Sequence, residues 1–324
     1  MIIAYCPSSS GLERREIDEG APVPSTAVWL DLMAPTHTEQ LAAEKLMGAE
    51  IPTREEIASI ETSARLYDEP GAIVMTAVLP MAARLPDPEL SSVIFVLSSK
   101  RLVTVRYGEP QSIKLVSRQI QTDTTLAHTG PAVFLALMER IIDRAADVME
   151  EASSKYDEMS IKVFEEGITS GGSSLYNDAI KTQGRLGLQI AKMHDVCTSL
   201  SRLLLFLESH AKKVSLSDDQ IQSCRSFGRD IHSIKEHGDA LDNKLSFLLD
   251  ATIGLVNLEQ NQIIKVFSVL GVIFLPPTLI ASIYGMNFIN MPELQWKLGF
   301  VFSIALMGGS IALTYLFLRW KRLL

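Results

Sequence analysis

The residues with the clearest chemical potential are Gly285, Met286 and Asn287, which follow Tyr284 and precede Phe288-Ile289-Asn290 and Met291-Pro292-Glu293-Leu294. An asparagine side chain offers a carbonyl that accepts hydrogen bonds without carrying a full charge. Such a group can touch a passing ion through the ion's own water shell. Placement adds weight to composition. No charge occurs between Lys265 and Glu293, and a second apolar run, Gly299 to Leu318, stops at Arg319-Trp320-Lys321-Arg322. A short polar loop with Glu293 at its outer part therefore joins two apolar segments, and the triplet sits at its mouth. That placement points to ion passage, not to a simple anchor.

The elements that must position the triplet are two membrane-length helices. About 20 apolar residues cross a bilayer, and Val266–Tyr284 and Gly299–Leu318 each supply that length. The basic flanks, Lys265 on one side and Arg319, Lys321 and Arg322 on the other, predict both termini in the cytoplasm and the loop outside. Pro276-Pro277 interrupts the first span, because proline lacks the amide donor and crowds the preceding turn. Two readings stand for this break: a kink satisfied by neighbouring helices, or a bend where the helix lines water. Asn261, Ile264, Ser268, Gly271, Leu275, Thr278 and Ser282 recur at intervals of three and four, which is one helix face. One such face cannot enclose a pore; several copies about an axis can, so a cyclic homo-oligomer is expected. The second span, with Ala305, Gly308-Gly309-Ser310 and Ala312, has the small residues of a close-packing outer helix.

The remaining sequence predicts an α+β fold: an N-terminal α/β domain over 1–128, long helices over 129–265, the first span 266–284, the loop 285–298, the second span 299–318 and a basic tail 319–324. Strand-like runs fall at Met1–Tyr5, Ala27–Leu32, Ala72–Leu79, Ser92–Leu97 and Leu102–Tyr107. A helix capped by Thr36 or Thr38 runs to Met47, and another starts at Thr53. Pro131–Glu166 and Ser174–Ser209 read as long helices with apolar stripes, separated by a turn at Gly167–Gly172. After Ser215 no proline occurs until Pro276; a helix running unbroken to Tyr284, about 70 residues, spans roughly 105 Å at 1.5 Å per residue.

Composition excludes several classes. The net charge of −8 in 324 residues argues against a nucleic-acid partner. Cys6, Cys197 and Cys224 are too scattered for a disulfide framework or a zinc knuckle and read as free thiols. The opening MIIAYCPSSSGLERRE does not read as a signal peptide. No phosphate-cradling loop, nucleophile elbow or metal-spaced histidine pair is present, so no enzyme is predicted; His232 and His237, five apart, do not share a helix face. Acidic groups at Asp143, Asp147, Glu150 and Glu151, and at Asp218, Asp219, Asp230, Asp239 and Asp242, read as solvated faces. They are also where a regulatory divalent cation could be held by a few carboxylates.

The Gly285-Met286-Asn287 triplet with Met291-Pro292-Glu293-Leu294, together with Glu259-Gln260-Asn261, Phe274-Leu275-Pro276-Pro277-Thr278 and Trp296, resembles the CorA family of divalent-cation channels and transporters. The likeness is close over about the last 65 residues. Trp29-Leu30-Asp31-Leu32 and Pro35-Thr36 look like that family's opening strand and helix. The resemblance implies a homopentamer with a cytoplasmic funnel in a bacterial inner membrane, passing Mg²⁺ and also Co²⁺ and Ni²⁺. It assigns Asn287 to the selectivity filter with Gly285 and Met286, and Asp250, Asn261 and Thr278 to the pore wall. It places the hydrophobic constriction at Ile264, Phe267, Gly271 and Leu275. No further cofactor is implied, beyond Mg²⁺ as cargo and regulator. Ile289 stands where many members carry an acid, so charge at the outer mouth rests on Glu293. A related Zn²⁺-transporting ZntB type varies the middle residue of the triplet, against which Met286 speaks. A membrane-tethered helical sensor that moves no ion is the third reading.

Overall fold

The computed structural model describes residues 1–8, 11–59, 66–81, 89–122, 129–166, 173–286 and 296–321. The chain forms two units, one of Met1–Glu166 with Asn177–Leu249, the other of Gly167–Tyr176 with Asp250–Leu324.

The first unit is built on a seven-stranded sheet of β1 (Ile2–Ser8), β2 (Gly11–Ile17), β3 (Trp29–Met33), β4 (Leu66–Glu69), β5 (Ala72–Pro80), β6 (Leu90–Leu97) and β7 (Leu102–Arg106). Its order is β2-β1-β3-β7-β6-β5-β4. Only β3 and β7 pair in parallel, with Trp29 opposite Leu102 and Met33 opposite Arg106. β5, β6 and β7 are apolar on both faces because helices cover both; Ile73, Val74, Phe95, Val96 and Val103 are wholly buried. Edge strand β2 is the opposite case. Its Arg14–Glu16 and Arg15–Glu13 pairs lie in solvent, and charge on an exposed edge discourages pairing with other chains.

One face of the sheet packs near α1 (His37–Met47), whose start is a capping box: Thr36 accepts from the Glu39 amide, and Glu39 accepts from the Thr36 amide. The helix stops at Gly48, where φ is +73°, a conformation that favours glycine. Thr36, not Thr38, is the cap. A short α2 (Arg54–Ser59) follows. On the other face, Trp29 Nε1 donates to Thr104 Oγ1 at 3.0 Å, and Thr104 donates to Asp31 Oδ1 at 2.8 Å. Arg106 clamps the same carboxylate through Nε and Nη2. Asp31 is 1% exposed and Arg106 8%, so this buried polar chain is satisfied from end to end. α3 (Gln111–Gln119) and α4 (Gly130–Ile161) lie beyond it, and Phe95 meets Phe134 edge to face at 5.5 Å.

α4 begins at Thr129, whose hydroxyl accepts from the Ala132 amide, with Pro131 in the first turn. Its buried stripe includes Phe134, Leu137, Ile141, Ala145 and Met149. It passes into a π-helical turn at Lys162–Glu166. α5 (Ser173–Ser209) buries Leu186, Ile190, Met193, Val196 and Leu200. The expected turn at 167–172 lies outside the described residues. α6 is one helix over Asp218–Tyr284; within the first unit it buries Ile231, Leu241, Leu245 and Leu248. All three cysteines are free and buried. Burial pushes the Cys197 and Cys224 thiols up to about 11.

The second unit contains the rest of α6 and α7 (Gly299–Trp320). α7 spans about 33 Å at 1.5 Å per residue, enough for a hydrocarbon core of about 30 Å. Its hydroxyls stay within the helix: Ser303, Ser310 and Thr314 donate to the carbonyls of Phe300, Met307 and Ser310. Lipid offers a polar group no other partner.

Candidate ion-conducting helix

The predicted pore residues from Asp250 to Met286 all lie on the second unit's stretch of α6 or just past its end. Along the apolar stretch of this helix, 266–284, only Pro277 is buried. A core helix of a water-soluble fold would be buried, so this surface needs lipid or further copies of the chain to cover it.

Exposure around the helix is uneven, and the unevenness has a period. Val269, Ile273, Pro276, Pro277, Ile280 and Tyr284 are the less exposed residues. Gly271 and Ile273 are two residues apart, which is about 200° around a helix of 100° per residue. Ile280 lies at about 180° from Gly271 by the same count. The covered stripe is thus opposite the stripe of Asn261, Ile264, Ser268, Gly271, Leu275, Thr278 and Ser282, all of which are exposed. α7 has a single covered stripe as well: Gly299, Ser303, Met307, Ser310, Thr314 and Leu318. Two helices lying side by side cover one stripe on each, and the small residues of α7 fit that role. The covered stripe on α6 was not singled out from the sequence.

The exposed stripe alternates in character. Ile264, Phe267 and Leu275 present large apolar groups, 60%, 69% and 68% exposed. Between them Gly271 leaves open space, with no atom within 4 Å of where a Cβ would stand. Asn261 and Asp250 are exposed polar groups further towards the helix start. Thr278 donates its hydroxyl to the Phe274 carbonyl at 2.7 Å. α6 stays helical through Pro276 and Pro277; the missing proline amides leave the Val272 and Ile273 carbonyls without their i+4 donors.

At the end of α6, the Gly285 amide reaches the Ala281 carbonyl at 2.9 Å and the Met286 amide reaches Ile283 at 3.2 Å. A Cβ on Gly285 would stand 3.2 Å from the Ala281 oxygen, a tight fit. The carbonyl end of a helix carries partial negative charge, so α6 presents a cation-favouring terminus immediately before the triplet's asparagine. Asn287 and Glu293 lie outside the described residues. The predicted acidic groups are partly engaged: Asp143 pairs with Arg140, Asp147 with Arg144 and Glu151 with Lys155, and Asp239 lies 3.2 Å from His194 Nε2. Asp143, Glu150, Asp230 and His237 line one shallow cavity, but no group of three or more metal-binding side chains forms among the described residues.

Comparison with known proteins decides the family. The family described as CorA-like Mg²⁺ transporter protein matches residues 24–322. This chain belongs to that family. The magnesium transport protein CorA of Escherichia coli K12 is 32% identical over 321 residues, covering 99% of each chain. That of Haemophilus influenzae is 32% identical over the same span, again 99% of each. The complete CorA magnesium transporter structure from Methanocaldococcus jannaschii superposes with a TM-score of 0.73 at 17% identity, covering 98% of this chain and 97% of its own. The fold is therefore CorA-like, with a mixed α/β N-terminal domain, long helices and two apolar C-terminal helices. The family is one of membrane transporters, not of enzymes.

Proposed function

We propose that this CorA-family chain carries Mg²⁺ across the bacterial inner membrane through a homopentameric pore, with Asn287 as filter. The observation that carries this reading is the two-sided character of α6: one stripe covered, the opposite stripe open, and the helix ending at Gly285-Met286. Five copies about an axis turn five open stripes inward and leave α7 outside. Residues 266–284 and 299–318 cross the membrane, 1–128 and 129–265 form the cytoplasmic funnel, 285–298 is the external loop and 319–324 the basic inner tail.

A hydrated Mg²⁺ meets a ring of Asn287 carbonyls, which accept hydrogen bonds from its waters. Aspartates would hold the ion more tightly and slow its exit. Gly285 and Met286 shape the mouth, five helix carbonyl ends favour the cation there, and Glu293 adds charge outside. Below, Thr278, Asn261 and Asp250 give polar contacts, while Ile264, Phe267 and Leu275 with Gly271 form a constriction that closes by excluding water. The membrane potential supplies about 2.3 kcal/mol per charge per 100 mV, so about 4.6 kcal/mol for a divalent ion. Co²⁺ and Ni²⁺, also divalent, pass by the same route.

The test is uptake into proteoliposomes with Mg²⁺, Co²⁺, Ni²⁺ and Zn²⁺ in competition. Mg²⁺ entering first, with Co²⁺ and Ni²⁺ as competitors, is the expected result. Zinc flux that outcompetes magnesium would make the chain a zinc transporter of the ZntB type, and a sealed oligomer passing no ion would make it a sensor.

A further inference from the structure

In the first unit, one cavity of about 340 Å³ opens on the sheet face beneath α3. Its walls include Ile3, Met33 and Ile113; its floor holds the Asp31–Arg106 pair. α3 turns a single face to it, since Ile113, Lys114, Ser117 and Arg118 all line it. Ser117 is tied to the Tyr5 hydroxyl at 2.7 Å, which fixes α3 over the strand.

The charges around the cavity do not cancel locally. The Met1 amine is held by Glu39, Arg14 by Glu16 and Arg106 by Asp31. Lys114 and Arg118 have no ion-pair partner among the described residues, and the one remaining acid on the lining is Glu109. Lys114 and Arg118 are four apart on one helix face, where like charges repel. A chain of net charge −8 has here concentrated cations against an apolar wall. An anion placed between Lys114 and Arg118 relieves their repulsion, and an apolar body attached to it fills the cavity.

We propose that this cavity binds a small organic phosphate, its head on Lys114 and Arg118 and its apolar body against Ile3, Met33 and Ile113. The volume admits roughly ten non-hydrogen atoms at about 30 Å³ per water-sized group, which suits an aryl phosphate. Phenyl phosphate is therefore the probe, with inorganic phosphate and phenol as its two halves. All three are titrated calorimetrically into the full chain in lipid nanodiscs, without divalent cations. Phenyl phosphate should bind once per chain, at least about tenfold more tightly than either half. Lys114→Glu and Arg118→Glu should each weaken it by about tenfold or more, with the thermal melt unchanged. Inorganic phosphate binding as tightly as phenyl phosphate would overturn the proposal, as would absence of saturation or charge-reversed chains that bind as before. If a reversed chain melts early, the three probes on the unaltered chain still decide.

Discussion

At the scale of single residues, the buried Asp31–Arg106 pair is the most exacting demand in the sheet. Asp31 accepts from Thr104 and from two arginine nitrogens, so its removal strands a guanidinium that is 8% exposed. Asp31→Ala should destabilise the first unit by about 3–5 kcal/mol, read as a large fall in melting temperature; a melt within a degree of the parent would contradict it. The cysteines give a pH prediction. The folded thiols of Cys197 and Cys224 titrate at about 11, above the usual 8.5, because burial disfavours the thiolate. Their contribution to stability is complete below the unfolded value and is lost as pH rises from about 9 towards 11. Thermal melts across pH 7 to 11 should fall in that window, and the native thiols should resist alkylation at pH 8 until the chain is denatured. Residue types offered the candidates for the proposed site, Asn287, Gly271 and Thr278 among them, and Asn287 lies outside the described residues. The Asp31–Arg106 pair was not singled out, because the two lie 75 positions apart and meet only through the parallel pairing of β3 with β7.

At the scale of elements, α6 carries two opposed stripes, and chemical accessibility can read them. With each native cysteine replaced by serine, a cysteine at Ser268 or Leu275 should react with a small charged thiol reagent when the pore is open. One at Ile273 or Ile280 should not, because those positions lie on the covered side. Equal labelling of both sets would dissolve the distinction. The start of α4 makes a second prediction. A Cβ on Gly130 would stand 2.3 Å from the Arg101 carbonyl carbon. Backbone cannot yield as a flexible side chain can, so Gly130→Ala should cost about 1–3 kcal/mol, measurable by thermal melt. Five strands, α1, α2 and the long helices were legible from alternation, capping and apolar stripes. Strand β2 was not, because GLERREI is charged and owes its strand to its place beside β1. β4 is four residues long, and α3 follows directly on a strand with a proline as its cap; neither is long enough to impose a period. The covered stripe of α6 was missed for a different reason. In a membrane segment the lipid-facing and helix-facing positions are equally apolar, so hydropathy cannot separate them.

At the scale of the whole molecule, the proposed pore requires several copies of the open stripe on α6. Native mass measurement of the protein in nanodiscs should give five copies of the 35.7 kDa chain; a monomer or dimer would leave the stripe facing lipid and remove the pore. The assembly could be expected from the sequence because one helix face cannot enclose water, whereas the number five came only through family resemblance. The central claim is that Mg²⁺ passes through a pore selected at Asn287. The direct measurement is the initial rate of Mg²⁺ entry into proteoliposomes under an inside-negative potential, with the parent chain set against Asn287→Ala at equal protein content. Parent flux should rise with the potential, and the variant should lose tenfold or more, about 1.4 kcal/mol of ion stabilisation. Equal rates through both chains would contradict the account.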